Sequence, residues 1–145
     1  MRIFVVENIN SGKSHIVNKL IKKYPSYNIL SIDEFRKKHS DGSIEKEIQT
    51  RNIFANEIIK HKDTIIEFSG GNTITSLFVD KLRQNSVVIL EVEENVNICL
   101  ERTKSKDFSK IPYPTYSESL EDTIRRLDIE FRNNSIEKNF MNTVL

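Results

Sequence analysis

Cysteine occurs once, at Cys99, in a chain of 145 residues. No disulfide can therefore close within it, and a metal site built on several thiolates is excluded. The neighbours Val96, Ile98 and Leu100 are apolar, so the thiol is expected to be buried and structural. Tryptophan is absent, and four glycines and three prolines leave no stretch for a collagen-like or low-complexity segment. No apolar run approaches the roughly twenty residues of a membrane span. The start, Met1–Glu7, turns polar too early for a secretory leader. The expectation is a cytoplasmic protein in a reducing setting, without membrane contact. A large charge of either sign is also missing, since the formal net charge is +1. No global field draws in nucleic acid, so an extended nucleic-acid footprint is not expected.

What remains is an ordinary globular balance, 37% hydrophobic and 30% charged, enough for one core in a single domain spanning 1–145. Ile3-Phe4-Val5-Val6 is a continuous apolar run, the pattern of a strand buried on both faces. Ile16, Val17, Leu20 and Ile21 then recur at helical spacing, and Pro25 follows where that helix must stop. Asn28–Ile32 reads as a second strand, ending at Asp33. Asp41-Gly42 marks a turn and Ser43 caps a helix, with Glu45 and Glu47 set against its positive end. Ile44, Ile48, Phe54, Ala55, Ile58 and Ile59 are the expected apolar face of that helix.

Thr64–Phe68 is a third strand, followed by a shorter helix carrying Leu77, Phe78 and Leu82, and by a fourth strand over Val87–Val92. Asn95 caps a helix expected to run to about Lys106. A lid-like loop is expected over about 103–116, with Pro112 and Pro114 in it. Thr115 and Glu118 have capping-box spacing ahead of a last helix striped by Leu120, Ile124, Leu127 and Phe131. Short buried strands alternating with helices predict an α/β fold, a three-layer α/β/α sandwich around a mainly parallel sheet of four to five strands. Right-handed crossovers place its ligand crevice at the carboxyl ends of the strands.

The most informative residues, Asn10-Ser11-Gly12-Lys13-Ser14-His15, lie between the first strand and the first helix. A phosphate loop needs backbone amides converging on an anion at the positive end of a helix. Gly12 permits the tight turn, Lys13 carries a compact positive charge to the β- and γ-phosphates, and the Ser14 hydroxyl suits Mg²⁺, which prefers oxygen. His15 enters as a nucleotide contact by its place in the loop; His39 and His61 have no ligand-like spacing with it. The full P-loop pattern has glycine five residues before the Gly-Lys pair, where this chain has Glu7. The Glu7 carboxylate must point away from the phosphates for the loop to bind them. Asn10 stands where another glycine is common, a mild change because asparagine tolerates left-handed backbone angles.

Further acids and bases fall at the strand ends. Asp33 shares the edge of a parallel sheet with the phosphate loop, where its carboxylate can accept the proton of an attacking hydroxyl. Arg36, three residues on, is a candidate to hold an anionic group of the acceptor. Glu67 is an acid inside an apolar run, costly there unless paired or bound to a metal, and is assigned to Mg²⁺ with Ser14. Gly70 and Gly71 offer an amide-rich loop beside the acceptor. Arg102, with Lys104, Lys106 and Lys110, flanks the lid-like loop and can stabilise negative charge developing on a transferred phosphate. Arg125 and Arg126 are weaker candidates of the same kind.

The chain resembles the small P-loop kinases, the group that includes nucleotide, shikimate and gluconate kinases. The resemblance rests on Ser11-Gly12-Lys13-Ser14, Ser31-Ile32-Asp33-Glu34-Phe35-Arg36, Ile65-Ile66-Glu67-Phe68-Ser69-Gly70 and Cys99-Leu100-Glu101-Arg102. Asp33-x-x-Arg36 also resembles the acceptor motif of polynucleotide 5′-kinases and zeta-toxin-like kinases. It implies a P-loop NTPase fold, ATP and Mg²⁺ as cofactors, and transfer of the γ-phosphate to a hydroxyl or phosphate of a small acceptor, with a nucleoside or nucleotide as one candidate. Lys13, Asp33 and Arg102 are then the catalytic groups, with Asp33 as general base and Arg36 on the acceptor. A polynucleotide 5′-hydroxyl kinase and a nucleotide-binding switch without transfer are the alternatives. The family usually has a fifth strand after the lid helix; Asn142–Leu145 is a short candidate for it.

Overall fold

A computed structural model describes residues 1–69, 87–92, 94–105, 111–114 and 118–133. Four strands, β1 (Arg2–Glu7), β2 (Asn28–Ser31), β3 (Thr64–Ser69) and β4 (Val87–Glu91), form one parallel sheet in the order β2-β3-β1-β4. Among the described residues the helices are α1 (Lys13–Lys23), α2 (Ile32–His39), α3 (Ile44–Ile59), α4 (Val96–Lys104) and α5 (Leu120–Asn133). The expected helix with Leu77, Phe78 and Leu82, the candidates Gly70, Gly71, Lys106 and Lys110, the cap Thr115, and Asn142–Leu145 lie outside the described residues.

Alternation along the strands builds the layers, because successive side chains leave a strand on opposite faces. Phe4, Val6, Ile66 and Phe68 pack with Ile32, Phe54, Ala55 and Ile58 of α2 and α3. Ile3, Val5 and Ile65 pack on the other face with Val17 and Leu20 of α1. Each of these side chains that is fully buried stabilises the fold by about 1.5–3 kcal/mol. A third cluster, Cys99 and Leu100 of α4 with Ile124, Leu127 and Phe131 of α5, reaches the phosphate loop through Ile9. Cys99 is buried as expected.

The topology positions the site. From β1 the chain crosses to the edge strand β2, whereas from β3 it passes to the far side of β1. β1 and β3 are therefore the neighbours from which connections diverge, and their carboxyl ends, Glu7 and Ser69, are paired in register.

Four local expectations change. The second strand stops at Ser31, and Ile32 begins a helix that the apolar pattern did not predict. Its charges explain it: Asp33 and Glu34 occupy the first turn and Arg36, Lys37, Lys38 and His39 the last, matching the helix dipole at both ends. On α3, Ser43 does cap, its hydroxyl accepting from the Lys46 amide. Ile44, Ile48 and Ile59, however, are exposed, and the buried stripe runs through Glu47, Thr50, Phe54, Ala55 and Ile58. Glu47 is thus a core acid and not a surface partner of the dipole. The last helix is capped by Ser119, whose hydroxyl accepts from the Asp122 amide at 3.1 Å, while Glu118 binds Arg126 at 2.8 Å. The α4 helix is capped by Asn95 as expected and ends at Lys104.

Candidate active site

The turn after β1 takes its shape from two residues with left-handed backbones, Asn10 at φ 62° and Gly12 at φ 99°. Gly12 stands at the N-cap of α1, so the first free amides of that helix face the loop. The loop is braced from α4: Arg102 donates from Nη1 to the Asn10 carbonyl at 2.9 Å, and Asn10 Nδ2 donates to Thr103 Oγ1 at 3.0 Å. Arg102 Nη2 also reaches Glu94 at 3.3 Å. It is braced from α5 as well, through Asn8 Nδ2 donating to the Ile124 carbonyl at 2.7 Å. Glu7 is fully buried, with Arg132 Nη2 of α5 3.7 Å from its Oε1. Its side chain is not among those lining the cleft described next.

A cleft of about 590 Å³ opens at the carboxyl ends of β1 and β3, within the usual range of about 300–1,000 Å³ for small-molecule sites. Asn10, Ser11, Gly12, Lys13, Ser14 and His15 all line it, with Asp33, Glu67 and Arg102 across from them. Lys13 is buried, and its ammonium donates to the Asn8 carbonyl and, at 3.3 Å, to Ser11 Oγ. Burial pushes the Lys13 ammonium down to about 8, against the opposing pull of the Asp33, Glu67 and Glu7 carboxylates.

Ser14 Oγ donates to Glu67 Oε1 at 2.9 Å. Alternation explains the meeting, since Glu67 leaves β3 on the same face as Ile65, which packs against α1. The pair joins a neutral oxygen and a carboxylate beside the phosphate loop, a donor set that fits Mg²⁺ completed by phosphate oxygens and water. Among the described residues, no cluster of three or more His, Cys, Asp or Glu could hold a metal by itself.

Asp33 is held by three groups. Oδ1 accepts from Arg36 Nη1 at 3.0 Å and from Ser69 Oγ at 3.0 Å, and Oδ2 accepts from the Tyr113 hydroxyl at 3.1 Å. Arg36 does not line the cleft. Its guanidinium is 1% exposed and is taken up by Glu47 (2.7 and 3.0 Å), Asp33 and the Ser69 carbonyl (3.0 Å). It lies over the Phe68 and Tyr113 rings, at 5.9 and 5.5 Å. Burial alone would raise the Glu47 carboxyl, but Arg36 and Arg51 outweigh it and hold the group below its ordinary value. Burial raises the Tyr113 phenol well above the usual tyrosine range, and the neighbouring Asp33 adds to this.

The structure thus brings together the phosphate loop, Asp33, Glu67 and Arg102, and withdraws Arg36 into the protein. The sequence reading missed Glu47 and Tyr113. For Glu47 a signal existed, because it lies three and seven residues from Thr50 and Phe54 on one helical stripe. For Tyr113 there was none beyond its place between Pro112 and Pro114.

No protein-family model and no curated protein matches the chain. Solved structures do. Shikimate kinase from Acinetobacter baumannii in complex with shikimate superposes with a TM-score of 0.68 at 19% identity, over 97% of this chain and 80% of that one. A sugar kinase from Janibacter sp. gives 0.57 at 15%, over 90% of this chain and 94% of that one. A chain of the Pnkp1/Rnl/Hen1 RNA repair complex gives 0.64 at 14%, over 92% of this chain, which spans 46% of the other's length. With strand order β2-β3-β1-β4 and the phosphate loop after β1, this chain has the α/β fold of the small P-loop kinases.

Proposed function

We propose that the chain is an ATP- and Mg²⁺-dependent phosphotransferase that moves the γ-phosphate to a hydroxyl of a small acceptor. One observation carries this reading: a helix-capped phosphate loop with Lys13, the Ser14–Glu67 pair and the Asp33 carboxylate line a single cleft. The fold likeness to shikimate and sugar kinases supports it.

Lys13 and the amides of the α1 N-terminus bind the phosphates, and Lys13 must leave the Asn8 carbonyl to do so. Ser14 and Glu67 would hold Mg²⁺, which when bound neutralises phosphate charge. Asp33 orients the acceptor hydroxyl and takes its proton as the oxygen attacks phosphorus. Arg36 positions Asp33 from behind, and does not contact the acceptor. Arg102 keeps the loop in shape through the Asn10 carbonyl and adds positive charge at the cleft wall. Gly70 and Gly71 are proposed to flank the acceptor because they continue the chain from Ser69.

The likeness to a chain of an RNA repair complex supports a second reading, a polynucleotide 5′-kinase. The net charge of +1 and the burial of Arg36 favour a small acceptor over it. Calorimetric titration with ATP and Mg²⁺, comparing the natural chain with Lys13→Ala, tests the loop. Micromolar binding lost in Lys13→Ala is expected, and an acceptor screen for ADP release then separates sugars and polyols from oligonucleotide ends. No binding to the natural chain would overturn the proposal.

A further inference from the structure

A phosphotransferase must keep its general base from activating water while ATP waits for an acceptor, because water is a smaller and far more abundant nucleophile. Asp33 is closed on one side, with Oδ1 occupied by Arg36 Nη1 and Ser69 Oγ. The remaining oxygen, Oδ2, accepts from the phenol of Tyr113 at 3.1 Å, and among the contacts described it is the oxygen left for an incoming hydroxyl. Tyr113 is 9% exposed and lines the same cleft as Lys13, Ser14 and Glu67. Its hydroxyl therefore makes the contact that the reading above assigns to the acceptor's hydroxyl.

We infer that the Tyr113 phenol occupies the acceptor-hydroxyl position on Asp33, and that an acceptor hydroxyl replaces it there, so that Tyr113 selects the acceptor over water. Three observations fit a phenol in that role. Its proton is held tightly, so it satisfies Asp33 without becoming a nucleophile itself at neutral pH. The Arg36 guanidinium, which binds Asp33 Oδ1, also lies 5.5 Å from the centroid of the Tyr113 ring, so one cation orders both the carboxylate and the phenol on its other oxygen. The backbone next to it is close to the turn at Gly42, where an added Cβ would meet the Tyr113 carbonyl at 3.6 Å, so the segment is packed against the body of the protein. An acceptor hydroxyl and a water can both exchange for the phenol donor-for-donor at Oδ2, but only an acceptor brings further contacts in the cleft that offset displacing the buried phenol.

The inference rests on the phosphotransferase reading, and Tyr113→Phe separates the two. That variant removes one oxygen and leaves the ring on Arg36, so folding is retained and is checked by thermal unfolding. The measured quantity is ADP release from Mg·ATP without acceptor, set against transfer at saturating acceptor. The ratio of acceptor-independent hydrolysis to transfer at saturating acceptor should rise about fivefold, the factor matching one hydrogen bond of ordinary net strength. Adding Asp33→Asn to Tyr113→Phe should abolish the gain, because the exposed carboxylate is its source. An unchanged or reduced ratio in a folded, transfer-competent Tyr113→Phe would overturn the inference alone. Absence of ATP turnover in the natural chain with every acceptor would overturn the kinase reading and this inference with it. Phosphate found on Tyr113 by mass spectrometry would also overturn it, since the phenol would then be an acceptor and not a placeholder.

Discussion

Glu47→Gln is the substitution for which the structure gives the sharpest energetic expectation. Glu47 is 2% exposed and Arg36 1%, joined at 2.7 Å, and Arg51 Nε adds a further contact to the same carboxylate at 2.9 Å. Glutamine has nearly the same shape, so the change removes the charge and one acceptor without opening a cavity. Arg36 is then left buried with Asp33 as its only ionic partner among the contacts described. Removing one partner of a buried pair costs about 3–5 kcal/mol. The residual Asp33 and Ser69 contacts put this case at the low end, about 3 kcal/mol. Against a typical stability of about 5–15 kcal/mol that is a large fraction, and at about 2–4 °C per kcal/mol the midpoint should fall by roughly 6–12 °C. The pair also sets an acid limb. The folded carboxyl lies below its ordinary value of 4.5, so its contribution is fully present above that value and is lost as pH falls through the lower, folded one. Urea unfolding at neutral pH and again below about pH 4 measures both effects. The variant should be less stable at neutral pH and should converge with the natural chain in acid. A loss under about 1 kcal/mol, the range of surface substitutions, would refute the claim that this is a buried, net-stabilising contact.

Other expectations follow from the cleft. Lys13 titrates near 8 in the folded chain against 10.5 unfolded, so stability without ligand should rise as pH increases between those values, when only the unfolded chain still holds the proton. Affinity for ATP should move the other way, falling by up to about tenfold per pH unit above that folded value, as calorimetry across pH would show. Glu67→Gln should raise the Mg²⁺ concentration needed for tight ATP binding by about 10–100-fold, measured by magnesium titration. Gly12→Ala forces a side chain into φ 99° and should cost about 1–2 kcal/mol in thermal unfolding while weakening ATP binding.

Much of the frame was legible in the sequence because it is local. A continuous apolar run, a Gly-Lys-Ser turn and a helical stripe lie within about twenty residues, and Ser43 and Asn95 announce their helices by chemistry alone. Asp33 and Glu67 both line the cleft because a parallel sheet puts the carboxyl ends of its strands on one edge, Glu67 from β3 itself and Asp33 from the first turn of the helix that follows β2. The partners of those residues were not legible. Arg36 and Glu47 are eleven residues apart on different helices, and nothing in the spacing says that the arginine turns inward to meet the glutamate. Counting isoleucines as core misled on α3, where Ile44 and Ile48 are off the stripe that Phe54 and Ile58 define. Tyr113 comes 80 residues after Asp33, and only the folded chain brings them together.

The central claim is that Asp33 serves the acceptor while the Lys13 loop holds the nucleotide, two separable parts of one cleft. Asp33→Asn, which keeps the shape of the side chain, tests it when ATP affinity and acceptor-dependent ADP release are measured on the same preparation. The account predicts ATP affinity close to that of the natural chain and a transfer rate lower by about 10²–10⁴-fold, the usual contribution of a general base. Undiminished transfer, or an equal loss of ATP binding and transfer, would contradict it.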